Sequence, residues 1–472
     1  MTSSAAPRTA GASPALTLPG AATLLALMNY TAPMATLPDT AAGLRAGPIA
    51  QIWVMSSIGL GLAAALITAG SLADGHGRRR MFTGGAVLLA VSSAVCAAAP
   101  DATIFIAGRI VQGAASAALI AAGLGIIGAA FPPGPRLSHA TGVWGAMLGL
   151  GIALGPIAAA GLGELAGWRL WYWVTVAASL ALAVPAARLL PESRAARRHR
   201  LDLPGVLTMS LGGAALLAAI TWGRTGWTHP ATLGLLAASV VLLAAFVAVE
   251  ARSREPMLDL ALFRRPGFLL SVVGSLLAGL GIIGVMSYLP TVLGVVLGMD
   301  ALDAALLLAI WSGLSFVVAI QARRLPARFQ AGRLLAAGLA LSAVGEAAML
   351  GLGPGAGWWR LVPGLVVAGV GSGLGNSMLA RLAVESVPPD RAGLGSGAGN
   401  TARYIGAALG VALVGAIVTG TGNAHASPAD AFAHGANVAM LVSAALTALG
   451  AVFAYVVREP ARAAQALTPA PR

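Results

Sequence analysis

Three charged side chains interrupt long apolar runs in this sequence, and each needs a chemical reason to be there. Arg109 lies in the run 103–131 with Gln112 three residues on, Glu346 is flanked by Ala343-Val344-Gly345 and Ala347-Ala348-Met349, and Arg403 sits in the run 392–420 near Asn400 and Tyr404. A guanidinium in an apolar helix must face a cavity or a partner, so Arg109 with Gln112 is a candidate transport site, structural pairing being the alternative. Glu346 is the carboxylate deepest in an apolar run. It can take a proton from one side and release it to the other, the work of a coupling site; the alternative is a neutral acid bonded to Ser342, one turn away. Asn29 precedes Pro33 by four residues, and proline cannot donate to the carbonyl four positions back. The amide and a freed backbone oxygen therefore cluster in one turn, suited to a substrate or cation contact or to bridging neighbouring helices. Tyr30, Trp53, Trp144, Tyr288 and Trp311 offer flat faces for organic compounds or cations, with packing as the alternative for each.

The elements that position these groups are membrane helices. Of 472 residues, 58% are apolar and 10% charged, with a mean hydropathy of +0.84, where soluble proteins average about 25% charged. A bilayer-spanning helix needs about 20 apolar residues, and fourteen such stretches lie between Leu16 and Val457. The fold class is thus an all-α integral membrane protein, and a large soluble catalytic domain is excluded. The first stretch, 16–38, exceeds the core of a cleaved signal peptide and is expected to stay. No lysine occurs, so the 29 basic residues are all arginine. That excludes a P-loop lysine, a pyridoxal Schiff base and a serine–lysine pair. Cys96 is alone and can form no internal disulfide. No H-E-x-x-H or G-x-S-x-G occurs, and the histidines, His139 and His434 among them, are placed in loops. An enzyme is the least favoured class, and no cofactor or metal is expected.

The net charge of +13 comes from arginines in short loops, a topology signal rather than a nucleic-acid surface. With both termini cytoplasmic, only Arg45, Arg169, Arg224 and Arg360 fall outside, and an even number of spans fits. The arginine-only, alanine-rich composition points to a bacterial inner membrane. Glycines recur at helical spacing, as in Gly369, Gly371, Gly373 and Gly375, and again in Gly393, Gly395, Gly397 and Gly399. Small residues at this spacing let helix backbones touch, a better account of Gly393 to Ala398 than a dinucleotide loop, since no parallel-strand unit surrounds it.

The loop after the second stretch reads Gly70-Ser71-Leu72-Ala73-Asp74-Gly75-His76-Gly77-Arg78-Arg79-Arg80. Asp74 there can accept from a helix N-terminus or an arginine, giving a charge clasp that closes in one conformation and opens in another. This segment resembles motif A of the major facilitator superfamily, G-x-L-a-D-r-x-G-r-[kr], kept at Gly70, Leu72, Asp74, Gly77 and Arg78. Arg109-Ile110-Val111-Gln112-Gly113 is similar to its motif B. Gly145, Gly149, Gly151 and Gly155-Pro156 resemble the antiporter motif C, with Ala159 and Ala160 in place of its last glycines. Gly167-Trp168-Arg169 and the stretches 201–205 and 255–265 resemble segments of the fourteen-helix drug:proton antiporters.

The resemblance implies two pseudo-symmetric six-helix bundles, 16–190 and 267–457, joined by 191–266, which carries an inserted helix pair. Residues 1–15 form a disordered cytoplasmic N-terminus and 458–472 a cytoplasmic tail. Motif C marks exporters within the superfamily, so the implied function is secondary export of small, largely apolar organic compounds by alternating access in exchange for protons, by a monomer. The departures set the alternatives. The membrane aspartate of the family's first helix is Asn29 here, which cannot titrate, and Pro33 is an addition. The helix bearing Glu346 lies at the bundle periphery in that fold. The second copy of motif A has decayed to Arg323-Arg324-Leu325-Pro326-Ala327-Arg328-Phe329-Gln330, so one clasp is expected to dominate. Arg403 is expected to pair with Glu385 or to line the cytoplasmic mouth. A dedicated metabolite exporter with different coupling, or a receptor that has lost transport, are the competing readings.

Overall fold

The computed structural model describes residues 13–132, 134–194, 202–223, 226–253, 256, 258–322, 329–420 and 427–457. The motif A copy at 323–328, most of the N-terminal segment 1–15 and the tail 458–472 lie outside the described residues. Helices α1 (Pro14–Thr31), α2 (Pro33–Gly43), α3 (Pro48–His76), α4 (Arg78–Ala98), α5 (Ala102–Ala130), α6 (Pro135–Ala166) and α7 (Arg169–Leu189) make the N-terminal half. Helices α8 (Leu203–Gly223) and α9 (Pro230–Arg252) follow. The C-terminal half holds α10 (Pro266–Ala278), α11 (Gly284–Leu297), α12 (Ala301–Gln321), α13 (Ala331–Ala348), α14 (Val362–Glu385), α15 (Ala392–Gly420) and α16 (Pro428–Val456). A π-helical turn, Gly279–Ile283, joins α10 to α11 without a break.

The helices start where their ends can be satisfied. Asp101 accepts from the Ile104 N–H at 3.0 Å, Asp300 from Asp303 at 2.8 Å and Ser427 from Asp430 at 3.1 Å, each filling an orphan donor of a first turn. Between caps the helices satisfy their own backbones, a necessity where no water is available. Gly77 turns the chain from α3 into α4 with φ of +122°, a conformation open to glycine and costly for other residues.

Among the described residues, thirteen helices are long and apolar enough to cross a membrane. The first expected stretch is the exception. It is divided at Ala32, because Pro33 cannot continue the hydrogen-bond ladder, so α1 ends at Thr31 and α2 restarts at Pro33. Two other sequence expectations shift. His139 and His434 lie within helices α6 and α16 rather than in loops, since the helices run longer than their apolar cores.

Packing follows a reciprocal pattern. The second long helix of each half meets the fifth of the other, α3 on α15 and α12 on α6, and α6 also touches α14. Helix α5 is the most enclosed, 83% buried over its most apolar window, whereas α9 is 17% buried and turns Val240, Val241 and Leu233 outward. Helix α8 leans on both α3 and α15, with Thr68 and Ser210 hydrogen bonded at 3.0 Å.

The α3–α5 contact is the closest in the N-terminal half. A methyl group on Gly113 would collide with the backbone of Ile58 and Leu62, whereas one on Gly84 meets open space. Gly113→Ala is therefore expected to cost about 1–3 kcal/mol through overpacking, read as a lower thermal unfolding midpoint of the purified protein. Gly84→Ala should leave that midpoint unchanged or slightly raised.

Candidate functional site

At one end of the molecule the two halves are tied by charge. Asp74, at the end of α3, accepts from Arg78 Nε at 2.9 Å and from its second guanidinium nitrogen at 2.7 Å. The same carboxylate accepts from the backbone N–H of Gly393 at 3.2 Å and of Leu394 at 2.8 Å, the first turn of α15 in the other half. Arg78 also donates to the carbonyl of Asp390 at 3.1 Å. A carboxylate at a helix N-terminus is favoured by the exposed N–H groups and the helix dipole, and pairing with Arg78 strengthens each bond. Gly70 permits the approach, because any side chain there would strike the Gly393 backbone. Gly77 sits against Glu192, which accepts from the Arg79 N–H at 3.2 Å. Asp74 and Arg78 are both buried, so this clasp lies in a seam rather than on a wet surface.

Further along the N-terminal half, Arg109 is wholly enclosed. One guanidinium nitrogen donates to the carbonyl of Asn29 at 2.8 Å, to the Asn29 side-chain oxygen at 3.4 Å and to Gln112 Oε1 at 3.2 Å. The backbone oxygen freed by Pro33 is thus taken by the protein's own cation. Gln112 is held by donating to Ser93 at 2.8 Å, and Trp171 donates its indole N–H to Asn29 at 3.3 Å. Arg109 Nε, its other terminal nitrogen, Asn29 Nδ2 and the Tyr172 hydroxyl have no partner. Among the described residues Arg109 forms no ion pair; its acceptors are amide and carbonyl oxygens.

The glycines of the motif C segment are points of close helix contact. Gly151 lies on Leu24 and Leu27 of α1, and Gly155 on Met28 and Thr31, while Gly145 and Gly149 face Asn376 and Ser312 across the seam. Helix α6 runs on through Pro156, which lines a cavity.

Between the halves, away from the clasp, lies a cavity of about 300 Å³ bounded by Met34, Pro156, Met286, Pro290 and Trp311 among others. A second, of about 490 Å³, includes Tyr30, Gln51, Tyr288 and Tyr404. They share Met34, Ser287, Pro290 and Thr291. A narrow recess of about 20 Å³ shares Ile152, Ile283, Trp311 and Ser312 with the first and is also lined by Asn376 and Arg403. Of the aromatic candidates, Tyr30, Tyr288 and Trp311 line this space. Trp144 is buried in the core cluster that also holds Tyr404 and Ala380, and Trp53 is not among the residues lining these cavities.

Arg403 is corrected in its partner. Glu385 pairs with Arg381, one turn before it on α14, at 3.1 Å, whereas Arg403 donates to Asn376 Oδ1 and faces the recess. Glu346 is likewise corrected: Thr447 of α16 donates to it at 3.1 Å, and Ser342 Oγ has no partner. Glu346 is fully enclosed and does not line these cavities. The residues missed by sequence reading are Asn376, Ser315, Ser372 and Thr447. Asn376 ends the run Gly369 to Gly375, where a polar amide in a membrane helix was the available signal.

The unbalanced charge of Arg109 sets an expectation. Asn29→Asp places a carboxylate where the amide oxygen already lies 3.4 Å from the guanidinium. It should stabilise the fold by about 1–3 kcal/mol, because a buried charge without a counter-ion is costly. A rise of a few degrees in the unfolding midpoint checks this; an unchanged or lower midpoint contradicts it.

The whole chain can be set beside known proteins. It is 33% identical over 453 residues to the puromycin resistance protein of Streptomyces alboniger, covering 92% of this chain and 89% of that one. It is 33% identical over 462 residues to the cephamycin export protein CmcT of Amycolatopsis lactamdurans, covering 93% of each. The crystal structure of the human organic anion transporter MFSD10 shares the fold at 17% identity, with a TM-score of 0.68 over 93% of this chain and 99% of that one. The sequence model of the Major Facilitator Superfamily matches residues 20–411. With this all-helical, membrane-crossing architecture, the chain belongs to the Major Facilitator Superfamily, a family of transporters rather than enzymes.

Proposed function

We propose that the protein is a secondary active exporter of small, largely apolar organic compounds, antibiotics or other drugs, working by alternating access. The observation that carries this reading is the asymmetry of the seam. Asp74 and Arg78 hold the halves together at one end, while the cavities lie between the halves nearer the other. That is one state of a two-state device whose second state requires the clasp to open. The relatives named for puromycin resistance and cephamycin export support the direction and the substrate class.

In this reading α1 with α2 is a fourteenth span, 16–190 and 267–457 are the two rocking bundles, and 191–266 carries the inserted pair. The clasp faces the cytoplasm of a bacterial plasma membrane, as the arginine-rich loops require, both termini are inside and the unit is a monomer. The coupling ion is the proton and Glu346 its carrier. The amide at position 29 favours the second reading, a dedicated metabolite exporter with another coupling, because the Arg109 cluster contains no titrating acid.

Cells stripped of their own exporters and loaded with dyes and antibiotics of both charge signs test the proposal. Expression should speed efflux, and a protonophore that leaves ATP intact should abolish it. Glu346→Gln should do the same without the protonophore; efflux that survives both moves the coupling elsewhere. Absence of efflux for every compound sinks the multidrug reading and leaves the dedicated one. Asp74→Asn removes the clasp's charge, worth about 1.5–3 kcal/mol in hydrogen bonds to a charged group, and should slow efflux roughly tenfold at unchanged protein level.

A further inference from the structure

The interior between the halves is built for negative charge. Each half encloses a guanidinium group beside it, Arg109 in the N-terminal half and Arg403 in the C-terminal half, and each is met by an amide, Asn29 and Asn376. Neither forms an ion pair among the described residues. Of the described residues lining the three neighbouring cavities, Asp300 is the one carboxylate. It stands at the start of α12, at the end away from the clasp, and is engaged in capping that helix through the Asp303 N–H at 2.8 Å.

Arg403 is the guanidinium residue that borders this space, at a recess of about 20 Å³, room for little more than a water. Its guanidinium faces the recess and donates to Asn376 Oδ1; Asn376 in turn donates to Ser315 Oγ at 3.4 Å, and Trp311 donates to Ser372 Oγ at 3.0 Å. Both serine oxygens act as acceptors in these bonds and keep a hydroxyl hydrogen to give. The recess thus ends in donors: the free edge of a planar guanidinium and two hydroxyls. A carboxylate or sulfonate matches that geometry, because a guanidinium forks onto two oxygens at once. Arg109 lies close enough to Tyr30, which lines the larger cavity, to act on it electrostatically, and adds positive potential on that side. In a low-dielectric, water-poor space this potential favours an anion and penalises a cation.

The rest of the space is apolar. Met34, Ile152, Met286 and Met299 border the cavity from which the recess leaves, with Trp311 at the junction. An adaptable methionine-lined wall suits a flat hydrocarbon or aromatic body of variable outline. Its volume of about 300 Å³ lies at the lower end of the usual range for small-ligand sites, roughly 300–1,000 Å³.

We propose that the compounds this protein carries are organic anions, an aromatic or otherwise apolar body bearing a carboxylate or sulfonate, with the anionic group directed at Arg403 from the cavity side of the recess beside Asn376. The inference rests on the exporter reading and narrows its substrate class.

Two xanthene dyes of opposite charge separate the outcomes: carboxyfluorescein, an anion, and tetramethylrhodamine methyl ester, a cation. Fluorescence anisotropy with the purified full-length protein, against empty micelles, gives Kd for each. Carboxyfluorescein should bind at least about tenfold more tightly, and Arg403→Gln should weaken it by about tenfold or more, in line with the loss of a charge-assisted bond, while leaving the cation within about twofold. Arg403→Lys, which keeps the charge, should retain the preference for the anion and shows that the site persists in a folded variant. Tighter binding of the rhodamine, or equal weakening of both dyes by Arg403→Gln, overturns the proposal. Efflux assays with the same dyes separate this inference from its foundation. Export of the rhodamine alone keeps the exporter and removes the anion preference; export of neither dye, nor of any compound in the wider panel, removes this inference together with the multidrug reading it rests on.

Discussion

A guanidinium enclosed in a membrane helix has to find acceptors inside the protein, and much of the N-terminal half is arranged around that requirement at Arg109. Desolvating such a charge is expensive, and here the acceptors are a backbone carbonyl and two side-chain amides. The carbonyl is available because Pro33 leaves it unbonded. The same proline ends α1 at Thr31 and redirects the chain into α2, and α2 contributes Met34 and Leu37 to the cavity walls. One residue therefore both feeds the buried cation and shapes the space between the halves. Gln112 completes the arrangement from the next turn of α5, and Ser93 of α4 fixes its orientation.

The seam between the halves is close at one end and open at the other for reasons of side-chain size. Near the clasp, Gly70, Gly125 and Gly393 bring α3, α5 and α15 into backbone contact, which gives Asp74 the short reach to the N–H groups of Gly393 and Leu394. Along α6, Gly145 and Gly149 do the same against α14 and α12. Beyond Gly155 the contacts are with proline, methionine and isoleucine side chains, whose bulk holds the halves apart. Close packing without a hydrophobic driving force depends on such small residues. In the proposed alternating-access cycle the charged clasp would add what dispersion alone lacks, a contact strong enough to hold one state and discrete enough to be released.

Most of the fold was legible because hydropathy in a membrane protein is nearly a direct record of span positions. The contacts of Asp74 were legible in part: a helix N-terminus or an arginine was the expected donor, and the carboxylate accepts from both. Which helix was not, since Gly393 lies 319 positions away and no local pattern reports that distance. The expected Arg403–Glu385 pair failed against a nearer competitor: Arg381 stands four residues before Glu385 on the same helix, a spacing that places the two side chains together. Glu346 was matched to Ser342 by the same one-turn logic, yet Thr447 of the neighbouring helix takes the bond. Intrahelical spacing proposes partners for long arginine side chains well; a short carboxylate facing a helix interface is decided by the opposite helix. Trp144 was grouped with cavity aromatics by type alone, and tertiary packing placed it in the core.

The position of Glu346 bears on how any coupling would be transmitted. It lies between α13 and α16, with Thr447 as its partner, and Thr447 packs against Gly281 in the π-helical turn between α10 and α11. That turn also contributes Ile283 to the cavity and to the recess beside Arg403. The acid and the cavity are thus separated by one side chain and one irregular turn, a type of helix defect frequent at functional sites. A change of charge at Glu346 has a contiguous physical route to the substrate space but no direct contact with it. In the proposed reading such an arrangement would couple by shifting the balance between two states of the helix pair rather than by competition between proton and substrate for one group. The ligand then acts on the same balance from the other side, and only through the difference in its affinity for the two states.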